Sequence, residues 1–271
     1  MVISELKSIW FSRDVLWNLT LRELRSKYRR SFLGWSWSML NPLATVGIFG
    51  FVFGVVFGAT APTGNPSGIT NFALYLVSGI IPWGFFGLVT NLSMSAMLGN
   101  AGLVRKVSFA RETLVLSQSI FALVQHTIEI AIVIALLALA GSPLWPWLPM
   151  TLFTILMMAI FATGIGLVLS VANVYMRDLN YLWSIFLQIW FYACAIVYDP
   201  VVLEGKVPKF VEWVVRWNPM SIYIHMIRDT LYHGRGPSLL RVAAGFGYAL
   251  AAAFIGLIVF RKLNRRLAEE I

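Results

Sequence analysis

The chain has 271 residues, of which 59% are hydrophobic and only 12% are charged. That composition is typical of a membrane protein, so we set aside a soluble all-α protein with unusually apolar helices. The net charge of +9 does not point to nucleic acid, because the basic residues cluster at the ends of apolar runs, where they suit anionic lipid headgroups. The single cysteine, Cys194, leaves no disulfide framework and no Cys/His metal cluster.

The N-terminal 30 residues are basic, and they contain no apolar core followed by a small-residue cleavage site, so we expect the N-terminus to be retained. With a period of 3.6 residues, one face of this arm holds Trp17, Leu21, Leu24, Tyr28 and Phe32. The pattern predicts an amphipathic helix in the cytoplasmic interface, although a simple topology anchor fits it too. We therefore divide the chain into an interface helix at 1–36 and a transmembrane domain at 37–271.

Six apolar runs follow the arm. Each has roughly the 20-residue length that crosses about 30 Å of hydrocarbon. The predicted spans are 37–59, 72–97, 114–140, 148–173, 180–199 and 239–260. The sequence therefore predicts an all-α polytopic protein with six transmembrane helices.

The basic residues are distributed unevenly between the two ends of the spans. The connectors at 60–70 and 141–146 contain no Lys or Arg, whereas most of the 21 basic residues lie in the arm, in the second and fourth connectors and in the tail at 261–271. The positive-inside rule then places both termini in the cytoplasm, with the chain in a bacterial inner membrane.

Glycines recur every four residues in the first span, at Gly50, Gly54 and Gly58. Small residues at this spacing let another helix approach closely, within the same subunit or from a second one.

The external segment at 200–238 is the longest stretch between predicted spans. It contains two amphipathic runs, Val207–Trp217 and Met220–Tyr232, which the pair Asn218-Pro219 separates. We predict two short re-entrant helices that dip into the outer leaflet, since backbone at that depth must be helical or buried against protein. Two helices resting on the membrane surface would give the same pattern.

Few side chains could carry chemistry. His126 and Glu129 are the ionisable residues deep inside a span, and they suit a proton site, a pore-lining group or a polar tie between helices. His225, Asp229 and His233 are helically spaced but have no visible partner set, so we predict no metal site and no catalytic residues. The sequence G-x-x-x-x-G-K-[ST] does not occur, so any ATP is bound by another polypeptide.

Aromatic residues are concentrated around the fifth predicted span, at Trp183, Trp190, Phe191, Tyr192 and Tyr198. Aromatic faces can stack on sugar rings without holding them tightly, as a sliding path for a glycan requires. Packing against lipid explains the same residues equally well.

Several stretches together resemble the permease family of ABC transporters that export polysaccharides and polyol phosphates, such as O-antigen, capsule, teichoic acid and mycobacterial galactan. The resemblance covers nearly the whole chain, and it is carried by the order and spacing of the motifs. They are Arg22–Gly34, Leu40-Asn41-Pro42-Leu43, Asn100–Glu112, Tyr175–Leu179 and Asn218-Pro219-Met220 with Arg228. Two departures are Ala110 in place of the usual Pro, and Cys194-Ala195 in place of Ser/Thr-Pro, which predicts a straighter fifth helix.

The resemblance implies two copies of this chain with two copies of a separate ATPase that binds ATP and Mg, while this chain binds no cofactor. The ATPase would receive Arg105, Lys106, Phe109, Arg111 and Glu112. The pyrophosphate of a polyprenyl-linked glycan would be attracted by Arg22, Arg25, Arg29 and Arg30. The re-entrant region would contain Asn218, Pro219 and Arg228.

Other classes of function remain open at this point. An exporter of a small molecule or drug would have the same architecture. A secondary transporter would be expected to show internal repeats and a midplane ion site, which we do not find. A membrane enzyme acting on lipid-linked sugars would need acidic or His residues meeting at the surface, for which the candidates are Asp199, Glu204, His225, Asp229 and His233.

Overall fold

The computed structural model describes residues 12–27, 34, 36–59, 61–107 and 109–264. The helices are α1 Arg13–Lys27, α2 Ser36–Phe49, α3 Phe72–Gly99, α4 Ala101–Lys106, α5 Glu112–Leu139, α6 Leu148–Tyr175, α7 Leu179–Ala193, α8 Lys209–Trp217, α9 Pro219–Ile227 and α10 Leu239–Asn264. Two π-helical segments extend α2 and α9, at Gly50–Val56 and Arg228–His233. No strand occurs in these ranges, so the all-α class is confirmed.

Within the described ranges, five helical segments are long and apolar enough to cross a membrane. They are Ser36–Val56, Phe72–Gly99, Glu112–Leu139, Trp145–Tyr175 and Leu239–Asn264. They match five of the six predicted spans, in order. The chain is therefore an integral membrane protein with several spans.

The predicted span at 180–199 is not confirmed as a membrane-crossing helix, because α7 has 15 residues and ends at Ala193. At 1.5 Å per residue its length is about 22 Å, short of the roughly 30 Å of a bilayer core. Two residues beyond that end, Ala195 adopts a φ of 50°, a left-handed conformation that an α-helix does not contain. The helix that we expected to run straight through Cys194-Ala195 therefore ends before these two residues.

The N-terminal helix α1 packs along α5 through Leu19 and Thr20, which are buried. Leu19 joins a core cluster with Met97 and Leu114 near the ends of α3 and α5. Trp17, on the predicted apolar face, is instead 60% exposed. The single amphipathic face is thus not confirmed over the described part of the arm, and its members Tyr28 and Phe32 lie outside the described residues.

The tightest helix contact joins α6 to α10. A Cβ atom added to Gly164 would lie 2.4 Å from the backbone of Ala252, and one added to Gly256 would lie 2.3 Å from the carbonyl oxygen of Gly164. The two backbones therefore touch through small residues. Of the predicted glycine stripe, only Gly50 has a neighbour, with Ala73 3.3 Å from such an added Cβ; Gly54 and Gly58 have none within 4 Å.

The connectors gather at opposite ends of the bundle. At one end, the hydroxyls of Ser67 and Ser142 donate to the carbonyl oxygens of Tyr232 and Leu231, each over 2.6 Å. The Lys/Arg-free connectors therefore share an end with the segment at 200–238. At the other end, Arg111 donates to Asn264 over 3.0 Å, which brings together the second connector and the end of α10. This grouping fits the predicted topology, and the orientation in the membrane stays a prediction.

The segment between α7 and α10 forms two helices separated at Asn218, as predicted. Its second half is fully packed inside the bundle, since Met220–Leu231 is buried except for His225. The turn lies well below the outer end of α10, because Tyr248, nine residues into that helix, donates to the carbonyl oxygen of Trp217 over 2.8 Å. By contrast α8 exposes Phe210 and Trp213.

The contact between α6 and α10 leads to a stability prediction. Gly256→Ala forces a Cβ into the carbonyl of Gly164, a rigid group that cannot yield, so we expect a loss of about 1–3 kcal/mol. Gly247→Ala in the same helix is the control, because a Cβ there meets nothing within 4 Å. Thermal unfolding of the two variants in one detergent measures the difference. Equal melting temperatures would contradict the close approach of the two helices.

Candidate functional site

The junction between α7 and the α8–α9 hairpin is held by one amide side chain. The Oδ1 of Asn218 accepts from the backbone N–H of Ser221 over 2.9 Å, which caps α9, and Pro219 occupies the first helical position. Its Nδ2 donates to the carbonyl oxygen of Ala193, at the end of α7, over 2.7 Å. Asn218 therefore both begins α9 and satisfies the last turn of α7.

A second side chain holds the broken backbone beyond α7. Arg228 is 1% exposed, and its Nη1 and Nη2 donate to the carbonyl oxygens of Ala195 and Ile196 over 2.9 and 2.5 Å. The guanidinium also lies over the ring of Tyr75, 3.8 Å from its centroid. Gly79 makes room for it, since a Cβ there would lie 2.7 Å from Nη2. Arg228 thus joins α3, the end of α7 and the π-helical segment.

A cavity of about 340 Å³ opens beside this junction, and we call it the outer cavity because the predicted topology places it at the outer face. Its ionisable wall residues are Asp199, Arg216, His225, Arg228, Asp229, His233, Arg235 and Arg241. The remaining walls are Tyr75, Trp217, Ile222 and the turn at 200–201. Inside it, Asp229 is held by two arginines: its carboxylate lies 3.0 Å from Nη2 of Arg235 and 2.7 Å from Nη1 of Arg241. The predicted re-entrant residues Asn218 and Arg228 therefore sit below and beside a polar space.

The aromatic residues of α7 divide into packed and exposed members. Trp183 is 9% exposed and donates to the hydroxyl of Thr90 over 3.2 Å. Trp190 packs edge-on against Trp83 and Phe86 of α3. Tyr192 is 67% exposed, and its carbonyl oxygen accepts from the Tyr198 hydroxyl over 2.7 Å. Trp183 and Trp190 thus attach α7 to α3.

A shallow aromatic groove of about 360 Å³ remains on the surface beside them. It is lined by Trp83, Leu187, Gln188, Phe191 and Tyr192. We did not identify Trp83 and Gln188 from the sequence as members of the glycan path. Trp83 follows Pro82 in a fully apolar run, so no pattern distinguished it from the buried aromatics around it. Gln188 is one of the few polar residues of α7 and was a usable signal.

The predicted ATPase-coupling residues do not all face the same way. The short helix α4 is anchored by Val104, which is 5% exposed, while Arg105 and Lys106 are exposed. Phe109 packs against the core cluster that contains Val104. Arg111 donates to both oxygens of Asn264, over 3.0 and 3.1 Å, and so braces α10. Glu112 lies half-buried in the first turn of α5.

The basic arm is connected to the start of α4. Nη2 of Arg22 donates to the Oδ1 of Asn100, immediately before α4, over 2.8 Å, and to Glu23 over 2.7 Å. Arg22 and Arg25 also line a shallow groove on α1 with Asn18 and Ser26. Arg29 and Arg30 lie outside the described residues.

The intramembrane pair His126 and Glu129 does not interact directly. Glu129 accepts from Nε2 of Gln125 over 2.8 Å, and the Oε1 of Gln125 accepts from Nζ of Lys27 on α1. Glu129 therefore takes part in a chain of hydrogen bonds, through Gln125 and Lys27, that connects α5 to the N-terminal helix α1. His126 is stacked on Phe85, with ring centroids 4.6 Å apart, and within the described part of the chain neither ring nitrogen has a hydrogen-bond partner.

These features define a class of protein: a multi-span α-helical membrane protein with an exposed basic surface at one end and a polar hairpin at the other. The comparison with known families is more specific. Residues 14–232 match the ABC-2 type transporter family, and the chain belongs to that family. The family resemblance that the sequence motifs indicate is therefore confirmed.

Similar proteins cover nearly the whole chain. The "O-antigen export system permease protein RfbA" of Klebsiella pneumoniae is 28% identical over 258 residues, 94% of each chain. Its namesake from Myxococcus xanthus is 25% identical over 272 residues, with all of both chains covered. The "Polysialic acid transport protein KpsM" of Escherichia coli is 26% identical over 251 residues, 90% of this chain and 91% of that protein.

The role of Asn218 predicts a specific loss of stability. Asn218→Ala removes the cap of α9 and leaves the carbonyl of Ala193 without its donor, so we expect a loss of about 1–3 kcal/mol. Asn91→Ala, at an exposed position of α3, is the matched control. Thermal unfolding in detergent compares the two. A variant at 218 that melts with the wild type would show that the amide is dispensable.

The contact of the connector at 61–71 with His233 predicts a pH dependence. Nδ1 of His233 accepts from the backbone N–H of Asn65 over 3.1 Å, which requires the neutral ring. Burial and then Arg235 lower the pKa of His233 below its usual 6.5. The stability from this contact is therefore complete above pH 6.5 and is lost as pH falls below that value through the lowered pKa.

Hydrogen exchange of the connector at 61–71, corrected for the intrinsic rate, measures this effect. We expect protection to decrease on acidification in the wild type and to be independent of pH in His233→Asn, which cannot take up the proton. Protection that falls equally in both proteins would assign the effect to another group.

Proposed function

We propose that the chain is the transmembrane subunit of an ATP-driven exporter that moves a lipid-linked polysaccharide from the cytoplasmic to the outer face of the bacterial inner membrane. The observation that carries this proposal is its end-to-end similarity to permeases named for O-antigen export and polysialic acid transport. Family membership supports the transport class.

ATP and Mg would be bound by a separate subunit, present in two copies beneath two copies of this chain. The basis is that the sequence contains no phosphate-binding loop, while α4 offers a basic surface at the end of the bundle that holds the basic connectors. Arg105 and Lys106 project from α4, and Val104 fixes that helix among Met97 and Leu114 of α3 and α5. A movement of α4 is thereby transmitted to two spans, which is coupling through a rigid element.

The N-terminal groove is the proposed first contact of the cargo. Arg22 and Arg25 lie beside each other there, and guanidinium groups match the oxygens of a pyrophosphate. The hydrogen bond from Arg22 to Asn100 joins this groove to the start of α4, the proposed coupling helix. Arg29 and Arg30, which the sequence assigns to the same headgroup site, lie outside the described residues.

The aromatic groove on α3 and α7 is the proposed wall of the glycan path. Trp83, Phe191 and Tyr192 offer ring faces, and Gln188 offers an amide that can exchange hydrogen bonds with sugar hydroxyls. Trp183 and Trp190 support this wall from behind through Thr90 and Phe86. A second copy of the chain would supply the opposite wall, and α8 with α9 would form the re-entrant outer end.

The test is the double variant Arg105→Glu with Lys106→Glu in a strain that also makes the native ATPase. We expect the charge reversal to remove the ATPase from the purified chain and to lower export at least about tenfold, because a like-charge contact replaces an attractive one. Lys262→Glu, exposed at the same end, is the control and should keep both properties. A chain that transports without any ATPase would overturn the proposal.

A further inference from the structure

The outer cavity is electropositive. Four arginines line it, and the two aspartates among its walls are already engaged. Asp229 is held by Arg235 and Arg241, and Asp199 accepts from the backbone N–H of Val201 over 3.0 Å. Arg216 is paired with Glu204 at the rim, so the four arginines face three carboxylates and one positive charge is left unmatched.

Arg228 shows this imbalance most clearly. It is 1% exposed, its hydrogen bonds go to carbonyl and phenol oxygens, and no carboxylate forms an ion pair with it in the described ranges. Its Nε is buried without a hydrogen-bond partner there. A buried guanidinium in this condition is stabilised by an added anion.

A histidine lies beside these arginines. His225 lies on the cavity wall, and its pKa is lowered well below the usual value by burial and then by Arg228 and Arg241. The remaining walls are apolar and include Trp217, Ile222 and Val201. The cavity therefore combines fork-shaped cationic donors with a surface that suits an acyl or prenyl chain.

We propose that the outer cavity binds a phosphate or diphosphate group that is attached to an apolar chain. Its volume of about 340 Å³ lies within the range of roughly 300–1,000 Å³ that is usual for ligand sites. Arg216, on the partly exposed rim, and Arg228, on the inner wall, supply guanidinium groups, which bind phosphate oxygens through charge-assisted hydrogen bonds.

Two sources could supply this group. One is the diphosphate of the exported lipid after it reaches the outer leaflet, an assignment that rests on the proposed function. The other is the headgroup of an anionic phospholipid, in which case the cavity would be a lipid-binding site beside the α8–α9 hairpin. Arginine side chains would bind the phosphate oxygens in both cases. The experiment therefore distinguishes the two ligands by changing the lipid composition of the bilayer.

The experiment measures binding of inorganic pyrophosphate to the full chain in phosphatidylcholine nanodiscs by titration calorimetry, with Arg22→Gln and Arg25→Gln present throughout so that the N-terminal groove does not contribute. We expect saturable binding that weakens about tenfold in Arg216→Gln, the loss of one charge-assisted contact. Glu204→Gln, which releases Arg216 from its ion pair, should tighten binding by about twofold. Lys209→Gln, on the same helix but not on the cavity wall, should leave binding unchanged.

A second series contains phosphatidylglycerol in the nanodiscs. Pyrophosphate binding that persists supports the exported diphosphate as the occupant, and binding that is competed away supports the phospholipid headgroup. The proposal is overturned if the chain with an unaltered cavity binds no pyrophosphate, or if Lys209→Gln weakens binding as much as Arg216→Gln does. These binding measurements involve neither ATP nor transport. A chain that binds no pyrophosphate would therefore contradict the cavity proposal without contradicting the export function. A chain that binds pyrophosphate but does not export would contradict only the export function.

Discussion

The structure depends on how the backbone beyond α7 is satisfied. That helix ends before it could cross a bilayer, and the chain then continues without regular structure among packed helices. Carbonyl groups at such a depth cannot rely on water, so protein donors must replace it. Asn218 and Arg228 supply them to Ala193, Ala195 and Ile196. Two polar side chains thereby make a break in a membrane helix compatible with a buried position.

The same two side chains explain the arrangement around them. Asn218 lies at the turn of the α8–α9 hairpin and Arg228 follows α9, so both reach the end of α7 only when α9 runs back up through the bundle. The outer cavity forms above this junction because α9 and its π-helical extension are packed inside while α8 stays on the rim. The break in α7, the buried return of α9 and the polar space at the outer end are thus one structural unit.

Much of the architecture follows from hydrophobic run length alone. Five spans, the break at Asn218 and the grouping of basic connectors were predicted correctly, because each is a local property of the sequence. The end of α7 was not, because Tyr192–Tyr198 is as apolar as a continuous helix and the conformation of Ala195 is set by distant donors. Likewise Gly164 and Gly256 looked like ordinary residues of two spans, since only the fold brings them together.

The predicted functional residues show the same difference between what the local sequence predicts and what distant contacts decide. Arg105 and Arg111 are six residues apart and equally basic, yet the first is exposed while the second braces Asn264. Trp183 and Tyr192 belong to one aromatic run, yet one is buried against α3 and the other is open. Sequence identifies which residue types are available, and the direction of each side chain depends on contacts with helices far away along the chain.

The backbone contact between α6 and α10 restricts where this protein can change shape. With no side-chain layer between Gly164 and Gly256, neither helix can slide or rotate against the other without a clash, so the pair moves as a single rigid body. The apolar window of α2 is by contrast only 6% buried, and α7 likewise turns most of its surface outward. A change of shape is therefore restrained less by contacts within the chain at α2 and α7 than between α6 and α10.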